Sequence, residues 1–162
     1  LLKESDNHIA EQLYWTLLAS EKQPLRFTGI LQDFSLRNGL ALTSVTQADG
    51  SGLSRLNRAT PRSMTQLLVY MTGTPSYDAF YQALPIAGVD GTLRRRMTGT
   101  AAAGNARAKT GTMRSVCTLA GYVTTKSGER LTYAIFINGY PGKAAAAREV
   151  QDAIVAYLSG LQ

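Results

Sequence analysis

RAKTGTMRSVCTLAGYVTTKSGERLTYAIFIN, residues 107–138, decides the fold. β-Branched and aromatic residues fill it in three runs, which read as strands at residues 107–113, 116–125 and 131–138. Lys126-Ser127-Gly128-Glu129 joins the last two as a hairpin. Beyond the strands, the alanine-rich tail predicts a helix over residues 143–158. Ahead of them, apolar spacing predicts helices over residues 8–18, 27–37, 61–71 and 77–84. Ser5-Asp6-Asn7 and Thr60-Pro61 supply cap-forming entrances to two of these, and Asn38-Gly39 a stop. Residues 88–104 are rich in glycine and small side chains and read as irregular chain around a short turn at 93–97. Helices first, then antiparallel strands, then a closing helix is a segregated α+β order, not one of alternating parallel units.

The 162 residues show no repeat, low-complexity tract or linker, and they suit one domain with a sizeable core. Hydrophobic residues make up 44% and charged residues 17%, which excludes a disordered or collagen-like chain. No apolar run reaches the roughly 20 residues that a transmembrane helix requires. A single cysteine, Cys117, and a single histidine, His8, exclude an intrachain disulfide, a zinc site and a Cys-His pair. No Gly-x-Ser-x-Gly elbow offers His8 a serine partner, so it reads as an exposed residue of a first helical turn. Cys117 reads as a small core residue, and Trp15, Phe80 and Tyr81 as core or helix-face residues. The net charge of +6 favours anionic ligands.

Three clusters carry candidate chemistry: Ser5-Asp6-Asn7, Asp49-Gly50-Ser51-Gly52-Leu53-Ser54-Arg55 and Lys109-Thr110-Gly111-Thr112. Residues two apart on a helix point different ways, so Ser5 and Asn7 act jointly only from a loop at the helix entrance. Gly111 lacks a Cβ, which lets another backbone approach the strand. An extended peptide added there gains main-chain hydrogen bonds, hydroxyl donors from Thr110 and Thr112, and the Lys109 cation. The implied ligand is a peptide with a C-terminal carboxylate. Plainer readings exist for each cluster: a helix cap, a turn, a solvated lysine. Arg94-Arg95-Arg96 reads as a solvated patch or a weak phosphate patch.

Taken together, Leu2-Lys3-Glu4-Ser5-Asp6-Asn7-His8-Ile9-Ala10-Glu11, the Asp49–Arg55 loop, Leu84-Pro85-Ile86-Ala87-Gly88-Val89-Asp90-Gly91-Thr92-Leu93 and Ala108-Lys109-Thr110-Gly111-Thr112 resemble the class C low-molecular-mass penicillin-binding proteins. That family comprises D-alanyl-D-alanine carboxypeptidases and endopeptidases. The resemblance implies a penicillin-binding, serine β-lactamase-like transpeptidase fold, and it runs from Leu2 to the terminal helix. It also implies roles. Ser5 would transfer a proton beside the attacking serine, Asn7 would hold the substrate amide, and Lys109 would orient Ser5 and favour the terminal carboxylate. Thr110 and Thr112 would hydrogen-bond that carboxylate, and the Thr112 backbone N–H would form half of an oxyanion hole. Arg55 would help bind the side chain of the peptidoglycan stem peptide, and Arg114 would face the same subsite.

The family's nucleophile lies in Ser-x-x-Lys, and no serine here has lysine three positions later: Ser5 is followed by His8, Ser51 by Ser54 and Ser54 by Asn57. Residues 1–162 are therefore expected to be the C-terminal portion of one penicillin-binding domain, incomplete on its N-terminal side. The N-terminal portion of the same protein would carry Ser-x-x-Lys and any inserted domains, and this chain alone would be inactive. Sheet apolar surface would then be exposed or covered by another chain. Class A β-lactamases share both motifs but need a water-activating glutamate between them, and no glutamate lies between Glu21 and Glu129. The resemblance thus implies an enzyme of peptidoglycan stem peptides, acylated by β-lactams, located in the periplasm or otherwise outside the cytoplasm. It implies no metal or organic cofactor and no nucleic acid partner. The other readings are a noncatalytic peptidoglycan-binding module and nucleic acid binding through Arg94–Arg96.

Overall fold

The computed structural model describes residues 1–20, 27–42 and 44–162. Helices α1 (Asn7–Ser20), α2 (Phe27–Arg37), α3 (Pro61–Thr72) and α4 (Tyr77–Ala83) precede a 3-10 turn at Gly91–Leu93. Strands β1 (Arg107–Met113), β2 (Val116–Thr124) and β3 (Arg130–Asn138) follow, and α5 (Ala145–Ser159) closes the chain. The elements agree with the expected order to within a residue or two at most ends. Thr125 leaves the strand because it closes the hairpin turn: its N–H donates to the Glu129 carbonyl at 2.8 Å and its hydroxyl accepts the Glu129 N–H at 3.0 Å. At the entrance of α3, Thr60 and Ser63 satisfy each other's free backbone N–H groups in a capping box, with Pro61 in the first turn.

The sheet has the order β1-β2-β3, both pairs antiparallel, with Lys109 opposite Ala120, Thr112 opposite Cys117 and Ala120 opposite Ala134. Strand alternation sends successive side chains to opposite faces. On one face Ala108, Leu119, Val123 and Tyr133 pack with Val155 of α5. On the other, Ala120 and Tyr122 pack with Leu68 of α3 and Leu84, flanked by Tyr77, Phe80 and Tyr81 of α4. The Tyr122 hydroxyl donates to the Leu68 carbonyl at 2.7 Å, so the aromatic core is also pinned to α3.

With helices on both faces, the large apolar side chains of the strands are buried or half-buried, contrary to the expected exposure. Exposed apolar residues lie instead on α1 (Ile9, Leu13, Trp15, Leu17) and on the outer side of α5 (Val150, Ile154, Tyr157). Trp15 is thus a surface residue, 61% exposed, while Phe80 and Tyr81 are set around Tyr122. Cys117 is buried, as its place in a strand leads one to expect.

Candidate active site

Ser5-Asp6-Asn7 divides its labour. The Asp6 carboxylate accepts the Ile9 N–H at 2.9 Å and caps α1, while Asn7 opens the helix with its side chain exposed. Ser5 lies just outside, in a left-handed conformation with φ 56° that costs a non-glycine residue about 1 kcal/mol. Such strain persists only where surroundings hold it. Here the hold comes from the loop leading into the 3-10 turn. Lys3 Nζ donates to Asp90 at 2.6 Å, and the Thr92 N–H donates to the Lys3 carbonyl at 3.0 Å. A Cβ on Gly91 would fall 2.4 Å from that carbonyl, so only glycine lets the two segments meet. Asp90 also accepts the Ile86 N–H at 2.8 Å. Burial pushes the Asp90 carboxyl up, but the Lys3 and Ile86 hydrogen bonds outweigh it and hold the group below its ordinary value.

Across this segment lies β1, an edge strand of the sheet. Lys109 shares the face of its register partner Ala120, toward the helical side, and its Nζ donates to Ser5 Oγ at 2.7 Å and to the Thr110 carbonyl at 2.7 Å. Two residues 104 positions apart are thereby in direct contact. Because Ser5 Oγ accepts from lysine, its own hydrogen is free to be given to a third group. Burial lowers the Lys109 pKa from that of a free lysine, easing proton exchange through the pair.

Thr110 and Thr112 alternate to the α5 side of β1. Thr110 Oγ1 donates to Thr92 Oγ1 at 2.9 Å, and Thr112 Oγ1 accepts from Arg148 Nη2 of α5 at 3.4 Å. The outer edge of β1 therefore has a cation with a strained hydroxyl on one side and a row of hydroxyls on the other. Gly111 answers to a neighbour the sequence did not suggest: a Cβ there would lie 2.4 Å from Thr118 Oγ1 on β2. The glycine relieves a cross-strand contact inside the sheet.

The structure thus joins Ser5 with Lys109 and sets Thr110, Gly111 and Thr112 along the adjoining edge. Arg55 and Arg114 are exposed on separate turns, and among the described residues neither hydrogen-bonds to this group. Arg55 follows a rigid loop: Asp49 accepts from the Gly52 and Ser54 N–H groups and from Asn57, and Glu11 of α1 accepts the Ser51 N–H at 2.9 Å. The Arg94–Arg96 run is no uniform patch, because Arg96 turns in to pair with Asp152 at 2.7 Å and Gln151 at 3.1 Å. Sequence reasoning missed Thr92, Asp90 and Arg148. The first two lie in the Leu84–Leu93 block, whose local pattern carries no chemical signal, and Arg148 sits on a helix where nothing local marks it. Among the described residues no group of His, Cys, Asp and Glu is arranged to hold a metal.

Comparison with known proteins agrees with this architecture. Residues 1–161 match the D-Ala-D-Ala carboxypeptidase 3 (S13) family. D-alanyl-D-alanine carboxypeptidase DacB of Haemophilus influenzae is 35% identical over 146 residues, covering 86% of this chain and 30% of that protein. The crystal structure of penicillin binding protein 4 from the same organism superposes with TM-score 0.88 at 31% identity, over 98% of this chain and 38% of that one. It has also been solved in complex with a β-lactam. The TLA-1 β-lactamase, 18% identical with TM-score 0.68 over 98% of this chain and 58% of its own, shares the fold. The chain spans roughly a third of the length of the carboxypeptidase relatives, and it belongs to the D-Ala-D-Ala carboxypeptidase 3 (S13) family.

Proposed function

We propose that this chain supplies the proton-transfer and carboxylate-binding half of a serine D-alanyl-D-alanine carboxypeptidase or endopeptidase acting on peptidoglycan stem peptides. The observation that carries the reading is the 2.7 Å contact between Lys109 Nζ and Ser5 Oγ beside the open edge of β1. In this reading a serine of a Ser-x-x-Lys segment, in the N-terminal portion of the same protein, gives its proton to the lysine of that segment and attacks the penultimate D-alanine carbonyl. The carbonyl oxygen takes up negative charge beside the Thr112 N–H. As the peptide bond breaks, Ser5 gives its proton to the departing D-alanine amine and is recharged through Lys109. Water then hydrolyses the acyl-enzyme with the proton moving back along the same path. Asn7 holds the substrate amide, and Thr110 and Thr112 hold the terminal carboxylate. Arg55 and Arg114, both exposed, extend the site toward the stem side chain.

A β-lactam enters as an acylating analogue of the same peptide and is released slowly, since no glutamate lies between Glu21 and Glu129 to activate water. A peptidoglycan substrate implies work outside the cytoplasmic membrane; among the described residues no helix is long and apolar enough to cross one. The test joins this chain to its Ser-x-x-Lys segment, treats the protein with penicillin and weighs it intact. The expected result is a stoichiometric adduct, together with D-alanine release from a D-Ala-D-Ala peptide. A protein that forms no adduct and releases no D-alanine overturns the proposal.

A further inference from the structure

The far side of the β1 edge carries a cation that motif patterns do not reveal. Arg148 lies in the first turns of α5, its side chain exposed, with Nη2 3.4 Å from Thr112 Oγ1. Its place is fixed from behind. Gln151, one turn along, is fully buried and donates to the carbonyl of Cys117 at 3.1 Å, and Cys117 is the register partner of Thr112. Arg96 Nη2 donates to the Arg148 carbonyl itself at 3.2 Å. The helix is therefore pinned to the sheet at the level of Thr112.

Among the described residues Arg148 also has no acidic partner. Asp152, four residues on, is the natural one on a helix. It is taken by Arg96, whose Nε and Nη2 reach it at 3.0 and 2.7 Å. Among the described residues the ion pairs are Lys3–Asp90, Arg37–Asp33 and Arg96–Asp152, and none includes Arg148. Because Thr112 Oγ1 accepts from Arg148, the threonine's own hydrogen is left to donate outward. The guanidinium keeps further N–H donors for the same acceptor. A planar, permanently charged fork beside a free hydroxyl is the donor set that a carboxylate fills in bidentate fashion.

We propose that Arg148 is a specificity-determining residue that selects substrates whose departing residue carries a free carboxylate. This rests on the function proposed above. The test uses the protein carrying both this chain and its Ser-x-x-Lys segment, with two substrates: a D-Ala-D-Ala peptide and the same peptide as its C-terminal carboxamide. Arg148→Gln is expected to lower kcat/KM for the carboxylate about five- to tenfold, mostly through KM, as loss of a partly exposed charged hydrogen bond predicts. The carboxamide should change less than about twofold, and Arg148→Lys should recover part of the loss. An equal fall on both substrates, or no fall on either, overturns the assignment while leaving the enzyme reading intact. A wild-type protein that hydrolyses neither substrate overturns both.

Discussion

The two sides of β1 are built on different principles. On the helical side, Lys109 and Ser5 are tied into a strained segment that is itself clamped through Lys3, Asp90 and Gly91. On the α5 side, among the described residues, the hydroxyls of Thr110 and Thr112 hydrogen-bond to Thr92 and Arg148, and Thr112 is exposed. The first side is held by hydrogen bonds, as a proton path between Ser5 and Lys109 would require. The second is more open, as a peptide terminus that enters and leaves would require. In the proposed function, proton transfer would sit on one face of the strand and the hydroxyls that hold the carboxylate on the other, separated by its pleat.

That contrast predicts a hierarchy of damage. Lys109→Ala in the complete protein should reduce kcat for D-alanine release by about 10²- to 10⁴-fold, the range for losing acid–base catalysis. Thr112→Val should act on the recognition side, raising KM for a carboxylate substrate about tenfold while kcat holds within about threefold. Steady-state kinetics of the two variants would erase the contrast if both changed the same parameter.

The pH profile sharpens the comparison. Lys109 must carry its proton to recharge Ser5, so turnover is full below its pKa and is lost as pH rises through it. Burial places that pKa below the ordinary lysine value of 10.5, so the alkaline limb of kcat/KM should begin below that value. Lys109→Arg should remove the limb and leave kcat low at every pH, because guanidinium stays charged and cannot give up a proton. At the acid end, Asp90 stabilises the fold above its ordinary value of 3.8, and the contribution is lost as pH falls through the lower folded value. Asp90→Asn should therefore flatten the acid limb of stability. At neutral pH it should cost only about 1 kcal/mol in a denaturant titration, since the pair is partly exposed.

Much of the fold could be read in the chain because its signals are local. The runs of residues 107–138 announce three strands, and Thr60-Pro61 announces α3. The Ser5–Lys109 pair was legible only through the order of separate blocks, since nothing in either triplet states that they touch. Arg148 and Thr92 were not legible at all. Their roles depend on how α5 and the 3-10 turn lie against β1, which is set by the buried Gln151 and by the Gly91–Lys3 approach. The exposure expected of the sheet failed for a similar reason: the pattern shows which strand residues are apolar, but not that α3, α4 and α5 are enough to cover them.

In the proposed function Ser5 passes the proton to the departing amine. The most direct measurement is D-alanine release by the complete protein with Ser5→Ala, compared with wild type under saturating substrate. The expected result is a fall in kcat of about 10²-fold or more with KM little changed, because the hydroxyl acts on the departing amine and not on the bound carboxylate. A kcat within about threefold of wild type would contradict it.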